Sequence, residues 1–141
     1  MKLFISYAHV DVYQVRQLVD LLRAGGHETW FDHSLIVGQD WKQQLYDAIK
    51  SCEGFVYALT PESVASEWCQ WEFGQAVEMG KPIFPVLMQA RTQLPDTLNR
   101  FQYADFTEGP TPQGIAKLMG GLNAIRISPK EIHTPENPKG V

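Results

Sequence analysis

The run Ser66-Glu67-Trp68-Cys69-Gln70-Trp71-Glu72 sets an aromatic and a carboxylate four residues apart, just after an apolar segment. On a helix that spacing puts Trp68 and Glu72 on one face. An indole beside a carboxylate can hold a sugar and stabilise positive charge on it, the chemistry of breaking a nucleotide's glycosidic bond. Glu72 is the candidate for that electrostatic role. Trp68 reads equally as the wall of a sugar pocket and as packing against a sheet. Trp71 points elsewhere. Cys69 reads as a packed thiol, because no histidine is placed in sequence to activate it.

Two further groups can complete such a site. Trp41 can stack on a flat cation, or else anchor its loop. Ser6, Tyr7 and His9 follow the first apolar run, where hydroxyls and backbone N–H groups can meet a pyrophosphate. That loop carries Ala8 and no arginine, so phosphate charge is not obviously matched, and His9 reads as a surface residue.

The elements that must position these groups are legible from periodicity. Leu3 to Ile5, Glu28 to Phe31, Phe55 to Leu59, Ile83 to Leu87 and Tyr103 to Phe106 read as strands. Between them, Val12, Val15, Leu18, Val19 and Leu22, then Leu45, Ala48, Ile49 and Cys52, recur at helical spacing. Asp11 and Asp40 look like capping residues, as do Thr60 before Pro61 and Ser66 before the third main helix. Gly25-Gly26 and Gly80 are stops. Pro85 inside a strand predicts a bulge or a locally unpaired edge. Alternating strands and helices imply a parallel sheet covered on both faces, with ligands bound beyond the carboxyl ends of the strands. Residues 1–126 are expected to form one domain. Residues 127–141, with Pro129, Pro135 and Pro138, are expected to form a polar tail or linker.

Composition narrows the functional classes. At 141 residues, 44% hydrophobic and 20% charged, the chain can build a single core and does not resemble a disordered segment. A formal net charge of -4 without a basic cluster argues against nucleic acid. No apolar run approaches the roughly 20 residues of a membrane span. Two distant cysteines suggest neither a disulfide framework nor zinc, which makes the cytoplasm the natural compartment. The four histidines lack ligand spacing, so no metal is expected. Phosphate-loop and nucleophile-elbow patterns are absent. Leu59-Thr60 ends the third strand where a phosphoacceptor aspartate would stand in a receiver domain.

Four segments occur in order: Phe4-Ile5-Ser6-Tyr7; Trp30-Phe31-Asp32 followed by Gly38 and Trp41; Ser66-x-Trp68-Cys69-x-x-Glu72; and Lys81-Pro82-Ile83-x-Pro85-Val86. Together they resemble the signature boxes of the TIR (Toll/interleukin-1 receptor) domain family, across Lys2 to about Arg126. The form resembles bacterial and plant members more than animal receptor adaptors, because the Trp-Cys-x-x-Glu box is intact. The resemblance implies a flavodoxin-like three-layer α/β/α fold with a five-stranded parallel sheet of order 2-1-3-4-5. It also implies either self-association as a signalling scaffold or cleavage of NAD+ to nicotinamide and ADP-ribose or a cyclic isomer. Glu72 matches the family's catalytic glutamate. Trp68, Trp41, Ser6, Tyr7, Phe31 and Asp32 become candidate substrate contacts. Ser34, Leu35, Ile36, Val37 and Gly38 match a loop that meets a neighbouring subunit.

The expected function is thus a TIR-domain NAD+ glycohydrolase or ADP-ribosyl cyclase, with NAD+ as substrate and no cofactor. Activation by homotypic self-assembly, a C-terminal sensor domain and a role in bacterial defence signalling are expected with it. The alternatives are a non-catalytic TIR–TIR scaffold and a relative acting on other nucleosides.

Overall fold

In a computed structural model of the protein, residues 1–31, 38 and 40–132 are described, with side chains described to residue 125. The chain runs β1 (Lys2–Ser6), a helical turn (His9–Asp11), α1 (Val12–Ala24), β2 (Glu28–Trp30), α2 (Trp41–Ser51), β3 (Gly54–Leu59) and α3 (Pro61–Ala65). It continues through α4 (Glu67–Glu78), β4 (Ile83–Leu87), a second turn (Asp96–Leu98), β5 (Ala104–Asp105) and α5 (Pro112–Ile132). All five strands pair in parallel in the order β2-β1-β3-β4-β5, the flavodoxin-like arrangement.

Period-2 alternation divides the core between the two faces of the sheet. Leu3, Ile5, Val56, Ala58, Phe84 and Val86 face one side, packed with Val15, Leu18, Val19 and Leu22 of α1 and Leu118 and Leu122 of α5. Phe4, Phe55, Tyr57, Leu59 and Leu87 face the other, against Leu45 and Ile49 of α2 and Cys69, Phe73 and Ala76 of α4. β3 is buried at every position, as a central parallel strand must be.

The connection from β1 leads outward to β2, whereas β3 lies on β1's other side. The crevice at this reversal opens at the carboxyl ends of β1 and β3, beside Ser6 and Thr60.

Four local expectations are modified. Of the bulge or locally unpaired edge expected at Pro85, the unpaired edge is what forms, and Pro85 stands in register opposite Tyr57. Met88 N–H bonds Leu59 and Phe106 N–H bonds the Leu87 carbonyl, so alternate residues of β4 face opposite neighbours. Pro85, two residues before Leu87, therefore turns its donorless nitrogen toward β5, which pairs only from Val86 onward. Asp11 does not cap α1 with its side chain, which is engaged elsewhere. β2 stops at Trp30, before Phe31. α5 runs on through Ser128 and Pro129 to Ile132, so the segment after Arg126 begins helical. One missing N–H near the helix end removes a single ladder bond. Residues 133–141 lie outside the described residues.

α5 approaches β5 closely at Gly114, where an added Cβ would lie 2.6 Å from the Asp105 carbonyl oxygen. Backbone cannot yield as a side-chain tip can. Gly114→Ala is therefore expected to cost about 1–3 kcal/mol, measured as a lower urea midpoint.

Candidate active site

Glu72 reaches the crevice because of how α4 starts. Ser66 caps the helix, its hydroxyl accepting from Cys69 N–H at 3.2 Å. From there Cys69, Glu72, Phe73 and Ala76 form the inward stripe. One member of that stripe is a carboxylate, and it is only 3% exposed. Ser6, fully buried at the end of β1, donates its hydroxyl to Glu72 Oε1 at 2.7 Å. Burial pushes the Glu72 carboxyl up to about 7, against the opposing pull of the Ser6 hydrogen bond. Removing that donor in Ser6→Ala should move the acid limb of any Glu72-dependent activity to higher pH, read from a pH–rate profile.

Around this group lies an open cleft of about 530 Å³, within the range of small-molecule sites. Tyr7, Ala8 and His9 form one wall, from the loop after β1. Trp41 and Leu45 of α2 form another, and Ser66, Trp68 and Glu72 of the α4 start complete it. Asp40 fixes the beginning of α2, its carboxylate accepting from Lys42 N–H at 3.0 Å and Gln43 N–H at 3.3 Å. Trp41 thereby meets Trp68 edge to face, with ring centroids 3.9 Å apart and planes at 79°. Trp68 is 49% exposed, so it walls the cleft and does not pack in the core.

The loop after β1 is braced from beneath. Thr60 donates its hydroxyl to Asp11 Oδ2 at 2.6 Å and accepts from Ser63 N–H at 3.0 Å. Ser63 Oγ in turn accepts from Thr60 N–H at 2.9 Å, completing a capping box around Pro61. Gln89 Nε2 reaches Asp11 Oδ1 at 3.4 Å from beyond β4.

Several candidates from the sequence therefore come together: Glu72, Trp68, Trp41 and Tyr7 line the cleft, and Ser6 sits behind Glu72. Phe31 does not line it. It is buried against α1, stacked on Tyr7 at 4.8 Å with Arg16 over its ring. Gly38 has a φ of +86°, which suits glycine. Asp32, Ser34, Leu35, Ile36 and Val37 lie outside the described residues. Cys69 is buried and desolvation raises its thiol pKa, with a smaller opposing hydrogen bond from Ser66.

The sequence reading missed Leu45 as a cleft residue, although it stands four positions from Trp41 on the same helix face. It also missed the Thr60–Asp11 brace, which joins the end of β3 to the helical turn after β1. Among the described residues, no three His, Cys, Asp or Glu side chains assemble as a metal site. No helix among them is long and apolar enough to cross a membrane.

Solved structures share this fold. The TIR domain of the Toll-related receptor TRR-2 from Hydra magnipapillata superposes with a TM-score of 0.70 at 20% identity, over 88% of this chain and 97% of that one. A TIR-STING receptor from C. gigas, solved with 2',3'-cGAMP, gives 0.64 at 21% identity over 88% of this chain and 38% of its own. The CMP N-glycosidase BcmB of Clostridium botulinum gives 0.62 at 21% identity, over 84% and 98%. None of the curated proteins matches the chain in sequence. The TIR domain profile matches residues 3–119, and the chain therefore belongs to the TIR domain family.

Proposed function

We propose that the chain cleaves the N-glycosidic bond of NAD+, releasing nicotinamide and ADP-ribose or its cyclic isomer. The reading is carried by one observation: a carboxylate buried at the floor of an aromatic cleft and held by Ser6 at 2.7 Å. Burying a carboxylate costs stability, and such groups cluster at functional sites. Nicotinamide in NAD+ is a cation and departs neutral, so no acid need protonate it. The C1′–N1 bond breaks, its electron pair goes to the ring nitrogen, and the ribosyl group becomes oxocarbenium-like. Ionised Glu72 stabilises that charge, in a water-poor site where the interaction is strong. Water then adds to C1′ and a proton is released; in the cyclic product an adenine nitrogen takes the place of water.

Because the ionised form acts, kcat/KM should fall as pH drops through about 7. The cationic substrate favours the carboxylate, so the kcat profile should break at lower pH than kcat/KM. Steady-state rates across pH 5.5–9 check both. An acid limb unaffected by Ser6→Ala would speak against Glu72 as its source.

Self-association is part of the proposal: Ser34 to Val37 and Gly38 would meet a neighbouring copy and raise turnover, in an effector that a fused sensor domain could govern. The cytoplasm is its proposed location and defence signalling its proposed setting. A scaffold without catalysis is the second reading, favoured by Val10 and Tyr13, which stand 73% and 85% exposed where α1 starts. Concentrated protein incubated with NAD+, with products identified by mass, separates the two. An enzyme releases nicotinamide and stops doing so in Glu72→Ala, while that variant still assembles. A scaffold releases none even when crowded.

A further inference from the structure

The cleft's charge is one-sided. Its lining includes the Glu72 carboxylate, two indoles and the neutral side chains of Tyr7, Leu45 and Ser66, and no Lys or Arg among the described residues. Two basic residues on the flanking helices lie over rings outside that lining. Arg16 of α1 lies 5.4 Å from the centre of the Phe31 ring, and Lys42 of α2 lies 5.4 Å from that of Trp71. Residues 32–37 and 39, between β2 and α2, include His33 but no Lys or Arg in sequence. His9, also in the lining, presents a single imidazole and no guanidinium fork.

Such a lining favours one half of a pyridine dinucleotide. A flat cation gains from indole faces and from a nearby carboxylate. A diphosphate instead calls for charge-assisted donors, above all bidentate arginine, to replace its hydration. Resting on the glycosidase reading above, we propose that the site recognises the N-ribosylpyridinium cation and leaves the adenylate half unread. Nicotinamide mononucleotide is then a substrate equivalent to NAD+. The same C1′–N1 bond breaks, its electron pair goes to the ring nitrogen, and water adds to C1′ with loss of a proton. The products are nicotinamide and ribose 5-phosphate. CMP, whose base is uncharged, is not cleaved at a comparable rate.

The test is release of the free base at pH 8 by the full chain, nicotinamide from the pyridine substrates and cytosine from CMP, at a concentration where NAD+ turns over. The expected kcat/KM values for NAD+ and the mononucleotide lie within about threefold, with CMP at least about 100-fold lower. Trp41→Ala and Trp68→Ala, at exposed positions that tolerate truncation, should each lower both values by the same factor, about tenfold. A mononucleotide cleaved tenfold or more slowly than NAD+ overturns the inference and leaves the NAD+ reading standing. So does a tryptophan variant that impairs NAD+ alone, or CMP cleaved as fast as NAD+. Release of no nicotinamide from either pyridine substrate removes the glycosidase reading, and this inference with it.

Discussion

Glu72→Gln is expected to slow nicotinamide release at least about 100-fold and, at pH 8, to make the protein more stable. Both effects have one origin. Glutamine keeps the shape and can still accept the Ser6 hydroxyl, but it carries no charge to oppose a ribosyl cation. It also carries none to be desolvated on folding. The folded-state pKa of Glu72 is raised from 4.5 to about 7. A group with a raised folded pKa holds its proton more tightly in the native state, so its contribution is fully present below about pH 4.5. That contribution is lost as pH rises through about 7. At about 1.4 kcal/mol per pH unit, the native chain forfeits about 3 kcal/mol across this window, and the glutamine variant does not. Urea unfolding of both proteins at pH 4, 6 and 8 should show curves that coincide in acid and diverge toward alkali. Parallel curves would mean that the carboxyl group is solvated and that the cleft is not the site described.

Thr60→Val should produce the largest loss of stability among single changes near the cleft, about 2–4 kcal/mol. Valine fills the same buried space, so packing is preserved while both oxygen functions vanish. The cap of α3 loses its acceptor, and Asp11 loses a 2.6 Å hydrogen bond to its carboxylate. A charged, partly buried acceptor left short of a donor accounts for the larger share. Thr60→Ser keeps the hydroxyl and removes only a methyl, so it should stay within about 1.5 kcal/mol of the native chain. Denaturant midpoints of the pair decide the matter. Equal losses in the two variants would place the effect in packing and dismiss the brace.

The order of the sheet was legible because its cues are local and redundant. Val56 and Ala58 alternate with Phe55, Tyr57 and Leu59 in a strand too apolar to leave either face bare, and the caps at Asp40, Thr60 and Ser66 are short-range chemistry. The Glu72–Trp68 pair was legible for the same reason, since both stand on one helix. What escaped was three-dimensional. Asp11 and Thr60 are 49 residues apart, and nothing in either neighbourhood announces the bond between them. Trp30-Phe31 illustrates the opposite failure. Two adjacent aromatics in one family segment invite a shared role, yet strand geometry sends neighbours to opposite faces: Trp30 stacks on Phe4 at 5.1 Å, while Phe31 joins Tyr7 on the other side.

The sheet ends in strands of three and two residues, Glu28–Trp30 and Ala104–Asp105. Borders this short offer almost no row of open amides and carbonyls on which another chain could template itself. Copies of this protein that gather into a filament must therefore join through helices and loops, like stacked bricks and unlike a growing fibril. Amyloid dyes should ignore such a polymer, and its amide infrared band should match that of the dispersed subunit.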